Sequence, residues 1–148
     1  MTIRPAQLED LYELTELEWE YAQESGITFD APKSEAFKYL AGEMRKPNCA
    51  ILLLDEDGVI KGFSLVYLAK IRWYGGLTLN LDHTYIRPAY RSLATHKAHL
   101  DAVRAYGRSL GAVELSTLWA PQAEAERVEK AMERCGWQPN GTYFTQGI

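Results

Sequence analysis

Leu8, Leu11, Leu14, Leu17 and Tyr21 recur at steps of three and four, which predicts an amphipathic first helix with one apolar stripe. A short strand over Thr2–Ala6 precedes it and Gly26 ends it. Thr28–Pro32 reads as a turn. Ser34 is the expected cap of a second helix, with Phe37, Leu40 and Met44 on its buried side and a stop at Lys46-Pro47-Asn48. The pattern then changes. Ala50–Leu54 is a continuous apolar run, as in a buried strand. Asp55-Glu56-Asp57-Gly58 has the acid-plus-Gly chemistry of a hairpin turn. Val59–Lys70 is a long strand with Gly62 inside it, and Trp73-Tyr74-Gly75-Gly76 is the next turn. In Leu77–Ile86, Leu77, Leu79 and Leu81 alternate with Thr78, Asn80 and Asp82, the period of a strand. Two hairpins in succession predict an antiparallel meander.

From about Ser92 to Leu110 the helical period returns, with Ala98, Ala102, Val103, Tyr106 and Leu110 expected inward and Gly111 as the cap. Ala112–Leu118 reads as a strand. Gln122–Cys135 reads as a helix with Ala125, Val128, Ala131, Met132 and Cys135 inward. Gly136–Gln138 and Thr142–Phe144 read as short strands around a Pro139-Asn140-Gly141 turn. The predicted order is β-α-α-β-β-β-α-β-α-β-β. No repeat or low-complexity segment interrupts it, so residues 1–148 are expected to form a single domain.

Composition narrows the class. Apolar residues make up 47% and charged residues 24%, as in a soluble globular protein. No apolar run approaches the roughly 20 residues of a membrane helix. Met1-Thr2-Ile3-Arg4-Pro5 lacks the apolar core of a secretory signal, so a cytoplasmic location without membrane attachment is expected. Cys49 and Cys135 match no zinc or redox spacing and are expected to be reduced thiols. The net charge of −4 is unevenly spread: residues 1–30 hold eight acids against one base, Arg4. That balance argues against nucleic acid as a partner. It suits either a solvated helix face or attraction of a cationic substrate.

Tyr85-Ile86-Arg87-Pro88-Ala89-Tyr90-Arg91 joins the alternating strand directly to the following helix. Such a junction presents free backbone N–H groups that can hold an anion such as a pyrophosphate.

The element order, with this junction at its centre, resembles the GNAT superfamily of N-acyltransferases over essentially the whole chain. Tyr85–Arg91 is similar to that family's aromatic-Val-x-Pro-Glu-Tyr-Arg strand exit. Leu110-Gly111-Ala112 with Val113–Thr117 is similar to its next helix end and strand, and Cys135-Gly136-Trp137 to the Leu-Gly-Phe that closes its last helix. The resemblance implies an α/β (α+β) fold with a mixed central sheet of six to seven strands flanked by four helices. It further implies an N-acetyltransferase that moves acetyl from acetyl-CoA to a primary amine by direct attack. On this mapping Thr84, Tyr85 and Ile86 meet the pantetheine arm. Arg91, Ser92, Leu93, Ala94, Thr95, His96 and Lys97 form the pyrophosphate loop. A homodimer is in keeping with the family.

The chain departs from the family pattern at several of these positions. Ala94 and His96 replace the small residues of the loop. The His96 imidazole either folds outward, fills phosphate space or, if protonated, contacts phosphate. Met132 stands where the family has a Tyr that protonates the leaving thiolate, and Ala125 stands near the place of its Asn; Tyr143 is a substitute candidate. These departures favour an alternative, a GNAT-fold protein with reduced chemistry that acts by binding host or partner proteins. A third reading is transfer from another acyl or aminoacyl donor.

Candidates for the proton acceptor are Asp82, His83 and Glu114. Period two places Asp82 and His83 on opposite faces of their strand. His83 has an ordinary pKa near 6.5, whereas Asp82 needs water or a raised pKa. His96 and His99, with Asp101, lack a convincing third ligand, so no metal is expected. Lys97, Arg104 and Arg108 make a basic stripe. Trp19, Trp73, Tyr74 and Trp119 are candidates for lining an acceptor pocket.

Overall fold

The computed structural model describes residues 2–25, 32–71, 75–117, 130 and 132–138. The chain divides into two compact units, Met1–Thr117 and Leu118–Ile148. In the first unit the meander dominates. Strands β1 (Thr2–Pro5), β2 (Cys49–Glu56), β3 (Val59–Lys70), β4 (Leu77–Ile86) and β5 (Glu114–Thr117) lie side by side in that order. All neighbours are antiparallel except β4 and β5, which are parallel. Helices α1 (Leu11–Glu24) and α2 (Lys33–Glu43) precede β2. Helix α3 (Leu93–Ser109) is the crossover that the parallel pair requires.

Alternation on β2 and β3 separates two buried faces. On one, Leu11, Leu14 and Leu17 of α1 and Leu40 of α2 pack with Ile51, Leu53, Phe63, Leu65 and Tyr85. Each fully buried Leu contributes about 2 kcal/mol, so truncating Leu14, which is 0% exposed, to Ala should cost about 3 kcal/mol or more. The other face carries Ser64, Val66 and Leu79 beneath α3. A Cβ on Gly107 would come within 3.2 Å of Leu79 Cδ2, so this glycine sets how closely helix and sheet approach.

Several expectations are corrected here. The described residues form five strands rather than six or seven. Residues 136–138 are a turn and an irregular segment, and residues 142–144 lie outside the described residues. Strand β2 runs to Glu56, which shortens its turn to Asp57-Gly58. Helix α2 starts at Lys33 behind an extended Pro32 (φ −70°, ψ 153°), not behind Ser34. The buried residues of α3 are His99, Leu100, Val103 and Gly107; Ala98 and Leu110 are exposed. A polar ring and a bare glycine hide from an apolar pattern, which explains the misplaced stripe.

In the second unit Lys130 and residues 132–134 are helical. The Cys135 and Trp137 N–H groups return to the Met132 carbonyl and that of Gly136 to Glu133, so the helix ends where Cys135-Gly136-Trp137 predicted.

Candidate active site

The pairing of β3 with β4 skips a residue. Leu65 lies opposite His83 and Val66 opposite Leu81, so Asp82 is the extra residue of a bulge. Beyond it, the Arg87 N–H donates to the Lys61 carbonyl at 2.9 Å. By the alternation of an antiparallel ladder, the backbone groups of Thr84 and Ile86 then face away from β3. On that side β5 pairs with β4 only from Thr78 to Leu81. Among the described residues no strand lies beside Thr84 and Ile86. Gly62 makes the opposite side tight, since a Cβ there would sit 2.3 Å from the Tyr85 carbonyl oxygen.

This open edge leads through a 3-10 turn, Pro88–Tyr90, to the start of α3. Ser92 caps the helix, its Oγ accepting from the Thr95 N–H at 3.0 Å. The N–H groups of Leu93 and Ala94 are the remaining first-turn donors, and both residues are exposed.

The bulge also sets the chemistry of the other face. It breaks the period of two, so Asp82 and His83 are neighbours rather than on opposite faces. The Asp82 Oδ2 lies 3.1 Å from His83 Nδ1, and Glu18 Oε2 lies 3.1 Å from His83 Nε2. The ring stacks on Tyr21 at 5.1 Å and meets the edge of Phe63. Burial opposes a charge on this imidazole, but the hydrogen bonds and charges of Glu18 and Asp82 outweigh it, so its pKa is raised. A carboxylate at each nitrogen gives both N–H groups of a protonated ring an acceptor, so this arrangement favours the imidazolium form.

Glu18 belongs to a ladder on α1. Glu13, Glu20 and Glu24 return to one side of the helix at steps of seven and four. Arg87 binds Glu13 at 2.8 Å and Glu20 at 2.9 Å. Arg91 pairs with Glu24 through two hydrogen bonds of 2.5 and 2.6 Å, stacks over the Tyr85 ring at 5.4 Å, and donates from Nε to the Ile86 carbonyl at 2.6 Å. The acidic face of α1 is thus largely paired within the protein.

A second polar group centres on Glu43 of α2. Tyr67 donates to the buried Glu43 at 2.5 Å, and Lys46 binds the same carboxylate at 2.6 Å. Burial pushes the Cys49 thiol beside it up to about 11. Burial also raises the Tyr39 hydroxyl, which feels the charges of Glu43, Asp82 and Glu18. The sequence reading missed Glu18, Glu43, Tyr39 and Tyr67; a charged residue breaking the apolar stripe of a buried helix was the available signal for Glu43.

On the α3 side, His99 is 0% exposed. Its Nε2 lies 2.5 Å from Ser64 Oγ, and Ser64 Oγ lies 2.7 Å from Thr84 Oγ1. Burial, with a smaller contribution from His96, lowers the His99 pKa to about 4. Burial also lowers that of half-buried His96, which leaves this ring uncharged at neutral pH.

The remaining candidates scatter. Glu114 pairs with Thr78, four residues along β4 from Asp82, a separation of roughly 14 Å at about 3.4 Å per residue. Lys97 is exposed on the first turns of α3, and Arg104 binds Asp101 at 2.8 Å. Lys33 lies over the Trp19 ring at 5.8 Å. Trp73, Tyr74, Trp119, Ala125 and Tyr143 lie outside the described residues. Among the described residues no cluster of three or more His, Cys, Asp or Glu could hold a metal, and no helix is long and apolar enough to cross a membrane.

No family model matches this sequence, and no curated protein matches it. Solved structures do. A probable acetyltransferase superposes with a TM-score of 0.82 at 22% identity, over 100% of this chain and 98% of that one. A ribosomal-protein-alanine N-acetyltransferase from Brucella melitensis biovar Abortus 2308 gives 0.79 at 20% identity, over 100% of both chains. An aminoglycoside N-acetyltransferase in complex with CoA gives 0.79 at 16% identity, over 99% of this chain and 93% of that one. Together with the bulged central strand and its capped junction, these likenesses establish that the chain has the fold of the GNAT N-acyltransferases.

Proposed function

We propose that the protein transfers an acetyl group from acetyl-CoA to a primary amine. The observation that carries this reading is the open edge of β4 beyond the Asp82 bulge, running straight into the capped start of α3. An acyl thioester supplies an electrophilic carbonyl. The outward backbone groups of Thr84 and the outward N–H of Ile86, whose carbonyl Arg91 holds, suit its amide-bearing arm. The free N–H groups of Leu93 and Ala94, at the positive end of the helix dipole, suit its pyrophosphate. Binding of CoA by a structural neighbour supports this assignment.

Chemistry on the acceptor side follows from charge. Glu18 and Asp82 flank one imidazole, and the half-exposed carboxylate of Asp82 favours an incoming ammonium. Asp82 is half exposed at the bulge, and its Oδ1 is the candidate acceptor for the proton that the amine must lose. His83 orients that carboxylate through Oδ2 and does not take the proton itself. Glu114, at the far end of β5, has no part in this scheme.

A second reading, a protein with reduced CoA chemistry that acts by binding partners, draws on Arg91. Its guanidinium is occupied by Glu24 and by the Ile86 carbonyl, at the mouth of the proposed phosphate site. Calorimetric titration with acetyl-CoA, with desulfo-CoA and ATP as controls, separates the readings. Micromolar binding followed by turnover in an amine screen is expected. Absence of binding up to millimolar ligand would select the second reading.

A further inference from the structure

His99, Ser64 and Thr84 come from α3, β3 and β4 and meet inside the sheet–helix interface. Two of them are 0% exposed, and Thr84 is half-buried on the open stretch of β4. Among the described residues, His99 Nδ1 is buried without a hydrogen-bond partner. That orphan gives the chain a direction. A neutral imidazole carries one proton. If it sat on Nδ1, a buried N–H would have no acceptor, and such donors are rarer than under-used acceptors. The proton therefore belongs on Nε2, donated to Ser64 Oγ. Ser64 is left to donate to Thr84 Oγ1, and Thr84 keeps its own hydrogen for an acceptor outside the chain. The uncharged state of the ring follows from its burial, which rules out an imidazolium as the source of this direction.

We infer that Thr84 is a hydrogen-bond donor to the acyl donor, and that His99 and Ser64 are positioning residues that aim it. The ligand chemistry is an acceptor oxygen or sulfur in the thioester-bearing arm, lying along the outward edge of Thr84 and Ile86. No proton leaves the chain, since transfer from Thr84 would in the end demand an imidazolate at His99. The role is to bind and orient. This inference rests on the acyltransfer reading above and names side chains that the backbone edge alone does not require.

Two measurements test it. Long-range proton–nitrogen correlation spectra of the full chain should show His99 protonated on Nε2, with no titration between about pH 8 and 5. An Nδ1-protonated ring would reverse the relay and overturn the inference. Acetyl-CoA calorimetry and steady-state kinetics follow on Thr84→Val and Ser64→Ala. Loss of one hydrogen bond should weaken affinity and raise KM by about three- to tenfold, with kcat retained. Thr84→Ser should restore the parent value to within about twofold, because it returns only the hydroxyl. Thr84→Val keeps Ser64 and His99 joined, so it serves if Ser64→Ala does not fold. Parent-like binding by Thr84→Val overturns the relay and leaves the acyltransfer reading standing. Failure of the unaltered protein to bind acetyl-CoA overturns both.

Discussion

Arg91 and Glu24 face each other fork to fork, Nη1 to Oε1 at 2.5 Å and Nη2 to Oε2 at 2.6 Å. The pair lies where the resemblance places a phosphate-loop arginine. Glu24 and a phosphate would compete for one guanidinium. Glu24→Gln is therefore expected to tighten acetyl-CoA binding several-fold, read by calorimetry. Its cost in urea unfolding should stay below about 1 kcal/mol, because both partners are substantially exposed. Unchanged affinity would show that Arg91 serves only the fold.

His83 should hold its proton beyond the ordinary histidine range. The folded pKa is raised by Glu18 and Asp82 against the effect of burial. Its contribution to stability is then complete below the unfolded value of about 6.5 and is lost as pH rises through the folded pKa. Glu18→Gln removes the first of those supports. Histidine resonances followed by NMR should titrate at lower pH in this variant than in the parent, and a titration that does not move would remove Glu18 from the cage.

His99 works in the opposite sense. Its folded pKa of about 4 lies below the unfolded value, so the unfolded chain takes up a proton that the folded one refuses. Stability should fall as pH drops from about 6.5 to 4, by about 3 kcal/mol from this residue. His99→Gln keeps a donor for Ser64 but cannot titrate. Urea unfolding at several pH values should show a shallower acid loss for the variant.

Asp82→Asn should keep the fold and lose turnover. The bulge is a backbone feature and an amide fits it, but an amide cannot accept the amine proton. A fall in kcat of about a hundredfold or more is expected, in the range of general-base contributions, with acetyl-CoA affinity unchanged. Unchanged turnover would remove Asp82 from the proposed mechanism.

The meander and the strand-to-helix junction were legible because alternation, Gly-bearing turns and a change of period are all local. The bulge was not. One extra residue at Asp82 leaves no mark in an alternating pattern, yet it brings the Asp82 carboxylate within 3.1 Å of the His83 ring. Glu18 and the His99–Ser64–Thr84 chain were missed for a related reason. Their partners lie 65, 35 and 20 residues away, and only the register of β3 with β4 and the seating of α1 and α3 brings them together. Ser64 and Thr84, directly opposite each other in the ladder, are the polar interruptions that mark the buried partner of His99.

Helix α1 leaves the ribosome before β4 does, and its ladder cannot close until β4 has followed. Glu18 waits for His83, Glu20 for Tyr85 and Arg87, and Glu24 for Arg91, each 65 to 67 residues later in the chain. Until then a run of acids sits on a nascent helix without counterions of its own. The order of synthesis thus makes the formation of the candidate site and the docking of α1 a single late event, dominated by contacts of long sequence separation.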